Sequence, residues 1–292
     1  MNVIDNKLFY CRNKDTYPPF KNGLYLEEFF FLFMRQNKIN LKRKYIPALW
    51  TNFQIEPWLR FKIIEMQNSL DDWVKKNPSN DGYFVIVQHD NGVMLKLPPK
   101  TLVFNGGNNG HIPLPLIYQD TDNKLLKIPR KIFSEKKHLC SFVGTLTHKL
   151  RTDMFKILKD KNNFLLIDSG GWTIKVNKEN QDCFIDITIN SKFALAPRGY
   201  GRSSFRFFEI MQLGCIPVYI WDDIEWLPYK DVIDYEKLCI SINIKDINTL
   251  EEKLLKIDEF TYNEMLNYYN QKKIFFNLNG MSNYIVKTIG VN

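Results

Sequence analysis

The chain has 292 residues, 45% of them hydrophobic and 14% aromatic, with a formal net charge of +8. So much apolar material excludes a disordered chain and suits one large α/β domain or two of ordinary size. The positive excess favours anionic partners: nucleotide sugars, nucleic acid or membrane surfaces.

The five cysteines, Cys11, Cys140, Cys183, Cys215 and Cys239, are scattered and contain no C-x-x-C pair. An odd, unpatterned set points to a reducing compartment. The opening MNVIDNKLFY lacks a signal-peptide pattern, and the most apolar early run, 29–34, is far shorter than the ~20 residues of a membrane helix. A cytoplasmic location without a membrane anchor is expected.

In chain order, residues 7–11 read as a first strand, followed by a turn at Tyr17, Pro18, Pro19 and Gly23. Residues 24–36 have helical length, with Phe29, Phe30 and Phe33 forming a core stripe. Residues 45–49 read as a second strand. Pro57 suits the first turn of a helix running to Lys76, with Leu59, Ile63, Met66, Leu70 and Trp73 on one face. Residues 83–88 and 101–104 are further strands. Alternating strands and helices are the rhythm of a parallel sheet with crossover connections.

The strand at 83–88 runs into His89-Asp90-Asn91-Gly92, a D-N-G turn placing two candidate bases at a strand end. The run NGGNNGHIP at 105–113 has no lysine and no phosphate-loop pattern, so it reads as a turn. Residues 119–137, rich in Asp, Lys and Pro, read as a linker. They contain Asp120-Thr121-Asp122, the D-x-D form that metal-dependent transferases use, but a charged linker makes it a solvated turn. His111, His138 and His148 show no metal-ligand spacing.

The second half restarts the pattern with a strand at 139–143, a helix at 149–160 and a strand at 164–167. Its centre is 193–220, FALAPRGYGRSSFRFFEIMQLGCIPVYI. A short apolar strand ends at Pro197, and a loop with Gly199 and Gly201 lets backbone amides approach a ligand. Ser203 or Ser204 can cap the following helix, Gly214 can close it, and 215–220 forms another buried strand. A strand at 239–244 and two helices, 249–257 and 261–276, complete the chain.

Helix starts favour Asp or Glu, because their free N–H groups carry partial positive charge. Here Arg198, Arg202 and Arg206 crowd the start, with no acid before Glu209. A diphosphate would relieve them, and Glu209, one turn on, could receive both ribose hydroxyls of a nucleotide. The bland alternative is an Arg206–Glu209 ion pair with Arg198 exposed.

The segment resembles the exostosin signature F-x-L-x-P-R-G-x-x-x-x-S-x-R-x-x-E-A-x-x-x-G-C-I-P-V, matched from Phe193 to Val218 with Ile210 in place of alanine. Two weaker elements are similar as well: S-F-V-G with Arg151 resembles the family's F-x-G…R, and Asn91 replaces Trp in its H-D-W-G. The resemblance implies an inverting, UDP-sugar-dependent glycosyltransferase of α/β GT-B architecture, two Rossmann-like domains with parallel sheets facing across a crevice.

Residues 1–125 would form the acceptor-side domain and 126–292 the donor domain, the last helix being able to pack back on the first. In the expected donor site, Arg198 and Arg206 hold the diphosphate and Glu209 the ribose, with Gly144, Arg151, Gly199, Gly201, Ser203 and Ser204 around them. Asp90 or His89 would be the base, and a β-glycoside on a glycan or glycoprotein hydroxyl the product. UDP-xylose or another neutral sugar is the expected donor, and no metal is expected because arginines and a helix end take its place.

Cellular exostosins are generally Golgi-anchored, whereas this chain suits a microbial or large-virus enzyme in the (host) cytosol. Two rivals stand beside this reading. R-G-Y-G-R-S-S-F-R-F interleaves arginine with aromatics as single-strand nucleic-acid binders do, although Phe205, Phe208 and Met211 have core spacing. An inactive sugar-binding protein on the same fold is the other.

Overall fold

Two parallel sheets organise the chain in the computed structural model, which describes residues 2–12, 23–117, 121–171, 173 and 176–291. Each sheet belongs to one compact unit: unit 1 contains residues 1–121 and 274–292, and unit 2 contains 122–273.

Unit 1 opens differently from the sequence expectation. Lys7–Tyr10 is a 3-10 helix, not a strand, capped by Asn6, whose side chain accepts the Leu8 N–H at 3.0 Å. Such a local bond competes with extended backbone, and one helical turn suffices to bury Phe9 against Trp50 and Phe53. The turn expected at 17–19 lies outside the described residues. Helix α1, Leu26–Asn37, buries Leu26, Phe30 and Met34 at four-residue spacing, together with Glu27 and Glu28.

Strand β1 is only Lys44–Tyr45, shorter than expected, since Pro47 has no N–H for a sheet ladder. A short helix absent from the sequence reading, α2, Trp50–Gln54, follows it and is buried throughout. Helix α3, Leu59–Lys76, buries Leu59, Met66, Leu70 and Trp73. Strands β2, Tyr83–Val87, β3, Leu102–Asn105, and β4, Ile112–Pro113, complete a parallel sheet in the order β1-β2-β3-β4.

Unit 2 runs β5, His138–Gly144; α4, Lys149–Leu158; β6, Phe164–Asp168; α5, Lys178–Ile189; and β7, Ser191–Pro197. It continues with α6, Phe205–Gln212; β8, Ile216–Trp221; β9, Ile240–Asn243; α7, Leu250–Leu255; and α8, Glu259–Lys272. Helix α5 went unread because its first turn is wholly polar and only Thr188 is fully buried.

The helices expected to end the chain are followed by another, α9, Leu278–Ile289, which packs on α1 in unit 1. Its stripe Leu278, Met281, Ile285 and Ile289 is buried, and Lys42 N–H donates to Gly290 O at 3.0 Å. Among the described residues no helix is long and apolar enough to cross a membrane.

The sheet of unit 2 is parallel, in the order β6-β5-β7-β8-β9. Chain order therefore reverses between β5 and β7. The loops after Gly144 and Pro197 diverge from that point, and parallel α/β sheets bind ligands outside the carboxyl ends of such strands.

Candidate functional site

The switch point gathers residues from distant parts of unit 2. Gly144 ends β5, and a Cβ there would overlap both Nη atoms of Arg206. The glycine thus leaves the space in which the guanidinium lies. Arg206, in the first turn of α6, also lies over the rings of Phe142 (4.8 Å) and Phe184 (5.5 Å). Its Nε and Nη1 are shielded from solvent, yet have no hydrogen-bond partner.

Arg151 has a different part. Its Nε donates to Arg198 O at 2.9 Å and its Nη1 to Thr145 O at 3.1 Å, with Nη2 3.5 Å from Pro197 O. It therefore clamps the two diverging loops together. Burial, and then repulsion from Arg206, bring Arg151 down to about 9, and burial brings Arg206 down to about 10. Two guanidiniums held close, one without a hydrogen bond, are suited to an anion.

Glu209 lies in the next turn of α6 but makes no close ion pair with Arg206, so the bland ion-pair alternative is not realised. Burial pushes its carboxyl up to about 7, with Arg206 pulling the other way. Ser204 is the N-cap of α6, but its side chain makes no capping bond. The caps of α4, α5, α8 and α9 accept a backbone N–H, whereas α1, α2, α3 and α7 start without a side-chain cap, as α6 does. Gly214 follows α6 with φ +70°, the closing role expected of it.

The crowded arginines have anions that sequence reasoning missed. Arg198 Nη1 meets Asp222 Oδ1 at 2.9 Å and Asp223 Oδ1 at 3.0 Å, and Arg202 Nε donates to Asp223 Oδ2 at 2.9 Å. Arg202, with Arg198 behind it, holds Asp223 well below the usual carboxylate range. The signal was an Asp-Asp pair directly after a buried strand. Gly199 and Gly201 lie in the loop these contacts hold, with Ser203 buried and Tyr200 exposed.

Phe207, Phe208 and Met211 are in the core and Phe205 is half-buried, which leaves Tyr200 as the exposed aromatic of the arginine-aromatic stretch. His148, half-buried as the cap of α4, is lowered by burial and then by nearby Arg198.

In unit 1, His89 and Asp90 sit on the turn that follows β2, both half-buried. Gly92 closes it at φ +69°, a conformation costly for other residues, and its N–H donates to His89 O at 2.9 Å. His89 Nδ1 accepts the Asn91 N–H at 3.2 Å, which leaves Nε2 as the protonated nitrogen of neutral imidazole. Burial lowers the pKa of His89.

Buried polar side chains brace this turn. Glu27 accepts N–H groups from Thr51 and Gln88, both at 2.7 Å, and the Thr51 hydroxyl. Burial pushes its carboxyl up to about 7 against those bonds. Gln54 Nε2 donates to Gly92 O at 2.7 Å, and Asn105 Nδ2 donates to His89 O at 3.4 Å. No sequence pattern marked these residues, because burial decides their role.

Asp122 lies near Lys124 at 4.0 Å, and Asp120 is outside the described residues. A side groove lined by Trp221, Glu225, Tyr235 and Ser241 lies on the β8–β9 side, but its Trp221–Ser241–Glu225–Lys230 chain is internally hydrogen-bonded.

Comparison with known proteins decides the family. The Exostosin GT47 domain matches residues 96–257, more than half of the chain. The chain belongs to the exostosin GT47 family. It is 27% identical over 172 residues to the Exostosin-1 homolog of Caenorhabditis elegans, covering 49% of this chain and 43% of that protein.

It is 33% identical over 206 residues to the probable beta-1,4-xylosyltransferase IRX10L of Arabidopsis thaliana, covering 60% and 47%. With the probable glucuronosyltransferase 47 A of Physcomitrium patens it shares 41% over 83 residues, 28% and 18%. The chain spans less than half the length of each of these relatives. The exostosin domain takes in Gly144, Arg151, Arg198, Arg206 and Glu209.

Proposed function

We propose that the chain is an inverting glycosyltransferase that moves a sugar from a UDP-sugar to a hydroxyl of a glycan or glycoprotein. Arg206 carries the proposal: a shielded guanidinium without a hydrogen bond, over Gly144 at the switch point of a parallel sheet. Arg206 and Arg198 would hold the diphosphate with the uncapped start of α6, while Gly199, Gly201, Ser203 and Ser204 shape the loop around it. Glu209 would receive the ribose hydroxyls, and Arg151 keeps the loop in place through the backbone carbonyls it already holds.

In the reaction, the acceptor oxygen bonds to the anomeric carbon as the bond from that carbon to the β-phosphate oxygen breaks. The electron pair leaves with UDP, whose new charge the arginines meet. The acceptor proton passes to Asp90 or to His89, which is neutral at pH 7 because burial lowers its pKa. A single displacement turns an α-linked donor into a β-glycoside. Since arginines serve the leaving group, activity is expected to survive EDTA.

A neutral donor, UDP-xylose foremost, is favoured because no cation in the sequence beyond the arginines assigned to the diphosphate and its loop marks a pocket for a sugar carboxylate. Relatives named as xylosyl- and glucuronosyltransferases make that choice a real one. Five free cysteines fit a cytosolic setting.

The test is turnover of UDP-xylose, UDP-arabinose, UDP-galactose and UDP-glucuronate with oligosaccharide acceptors, the anomeric configuration being read by NMR. A β-linked product and protection from thermal unfolding by UDP are expected. No turnover of any donor, or an α-linked product, would overturn the mechanism.

A further inference from the structure

We infer that the loop at residues 105–110 is the seat of the base, with Gly107 the residue that positions the carboxylate of Asp90. The inference rests on the glycosyltransferase reading and adds to it a function for the glycine-asparagine run that reads, in sequence, as no more than a turn.

Strands β2 and β3 lie side by side with Val87 opposite Asn105, so the two loops leaving their carboxyl ends start together. Gly106 N–H donates to Val87 O at 3.0 Å, which carries the pairing past the end of β3. From there the loops interlock. Asn105, fully buried, donates from Nδ2 to Asn109 O at 2.7 Å and to His89 O at 3.4 Å, while its Oδ1 accepts the N–H groups of Gly107 and Asn108. One side chain thus folds its own loop and ties it to the turn that carries His89 and Asp90.

Gly107 then lets the two backbones touch. A Cβ at this position would lie 2.8 Å from Asp90 Cα, 3.0 Å from Asp90 Oδ1 and 3.0 Å from His89 O. Carbon atoms pack best at about 3.5–4.0 Å, so a side chain at 107 and the present placement of Asp90 exclude each other. Gly107 is not in the left-handed region, so space, and not backbone conformation, calls for glycine here. The contact is reciprocal: a Cβ at Gly92, on the facing turn, would meet Asn109 O at 2.7 Å. The adjacent Gly106 is different. Its Cβ would come no closer than 3.3 Å to any atom, the nearest being Gln88 Cγ, and would not touch Asp90.

Asp90 is the base that this seat serves. His89 Nδ1 accepts the Asn91 N–H at 3.2 Å and Nε2 carries the hydrogen, so the ring takes up a proton only by giving up that bond. An ionised carboxylate is an acceptor at both oxygens and needs no change of tautomer. Its direction is what has to be held, and Gly107 faces both its Cα and its Oδ1.

The experiment measures transfer from whichever UDP-sugar turns over, with xylo-, arabino- and galacto-oligosaccharides as acceptor probes. Wild type is compared with Gly107→Ala, Gly106→Ala, Asp90→Asn and the double variant Asp90→Asn/Gly107→Ala. Gly107→Ala is expected to lower kcat about tenfold to a hundredfold, the cost of misplacing a reacting group by about 1 Å, with acceptor KM and UDP protection unchanged. Gly106→Ala should keep the wild-type kcat. In the Asp90→Asn background, Gly107→Ala should cost nothing more, because the group it displaces is already disabled.

A lower Tm in Gly107→Ala with kcat unaltered overturns the inference. So does an equal fall in kcat with and without the Asp90 carboxylate, the mark of a loop that serves the fold alone. Should Gly107→Ala not fold, Asn105→Asp is read in the same assay. It keeps the acceptor for the Gly107 and Asn108 N–H groups but not the donor to His89 O, and full kcat there overturns the inference. If wild type transfers to no acceptor probe, the glycosyltransferase reading falls and takes this inference with it. Full activity in Asp90→Asn removes the base and its seat together, whereas a slow Asp90→Asn beside an unimpaired Gly107→Ala sinks the seat alone.

Discussion

The strand ends of the two units differ in what they do with buried polar groups. In unit 1, Glu27, Thr51, Gln54, Gln88 and Asn105 close on one another and on the backbone, and the 88–92 turn is fixed by hydrogen bonds on several sides. In unit 2, Arg206 is set down on Gly144 with no hydrogen bond at all, beside the clamped Arg151. On the proposed reading, in which this turn carries the base, its geometry has to be fixed before the reaction, and its dense support fits that role. A cation meant for an anion cannot be satisfied in advance without losing affinity for it. Arg198 shows the intermediate case, already held by Asp222 and Asp223.

If unit 1 holds the base, Asp90→Asn or His89→Ala should lower kcat by roughly 100- to 10,000-fold while leaving UDP affinity unchanged. Steady-state kinetics with UDP binding by calorimetry separates the two. Full activity in both variants would break the comparison on the unit 1 side.

On the unit 2 side, Arg206→Ala should weaken UDP binding roughly tenfold to a hundredfold, since a hydrogen bond to a charged group is worth about 1.5–3 kcal/mol. The variant's Tm without UDP should change little, because loss of the contacts with Phe142 and Phe184 and of the attraction to Glu209 is offset by relief of the repulsion with Arg151 and by removal of a buried charge that forms no hydrogen bond. A marked fall in Tm would make Arg206 a structural residue instead.

Gly144→Ala sharpens the same point, because its methyl occupies the space of both Nη atoms. It should weaken UDP binding by roughly tenfold, yet add nothing in an Arg206→Ala background, as expected for coupled residues. Additive losses would show that Gly144 acts independently of Arg206.

The smallest effect expected is a pH dependence. Glu209 titrates near 7, so UDP-xylose affinity should fall a few-fold as pH drops through about 7, and Glu209→Gln should remove that slope. The stability sign is opposite. A carboxyl whose folded value is raised from 4.5 to about 7 binds more protons in the folded state, so its contribution to stability falls as pH rises across that window. Thermal scans between pH 5 and pH 8 on both proteins would show whether the slope belongs to this residue.

Much of the donor-side arrangement was legible from residues alone. The strand, glycine loop, helix and strand of 193–220 appear as β7, the 198–204 loop, α6 and β8, because apolar runs, Gly and Pro act locally. Local signals misled at residues 7–11, where an Asn6 side-chain cap outweighed an apolar strand-like run. They were too weak for α5, whose polar first turn hides its period. The stripe of α9 was present in sequence but obscured by Asn277, Gly280 and Asn283, of which Asn277 is in fact the cap.

By itself the sequence determined two parallel α/β sheets, an arginine-rich helix start facing a glycine loop, and a histidine and aspartate on a turn after a buried strand. Only the tertiary structure decided which charge meets which. Arg198 and Arg206 belong to one motif, yet the first is paired by Asp222 and Asp223 while the second lies over Gly144 without a hydrogen bond. The reason is topological. Strand order places the end of β5 beside the end of β7, and ion pairing depends on that distance through space, which the spacing of residues along the chain does not contain.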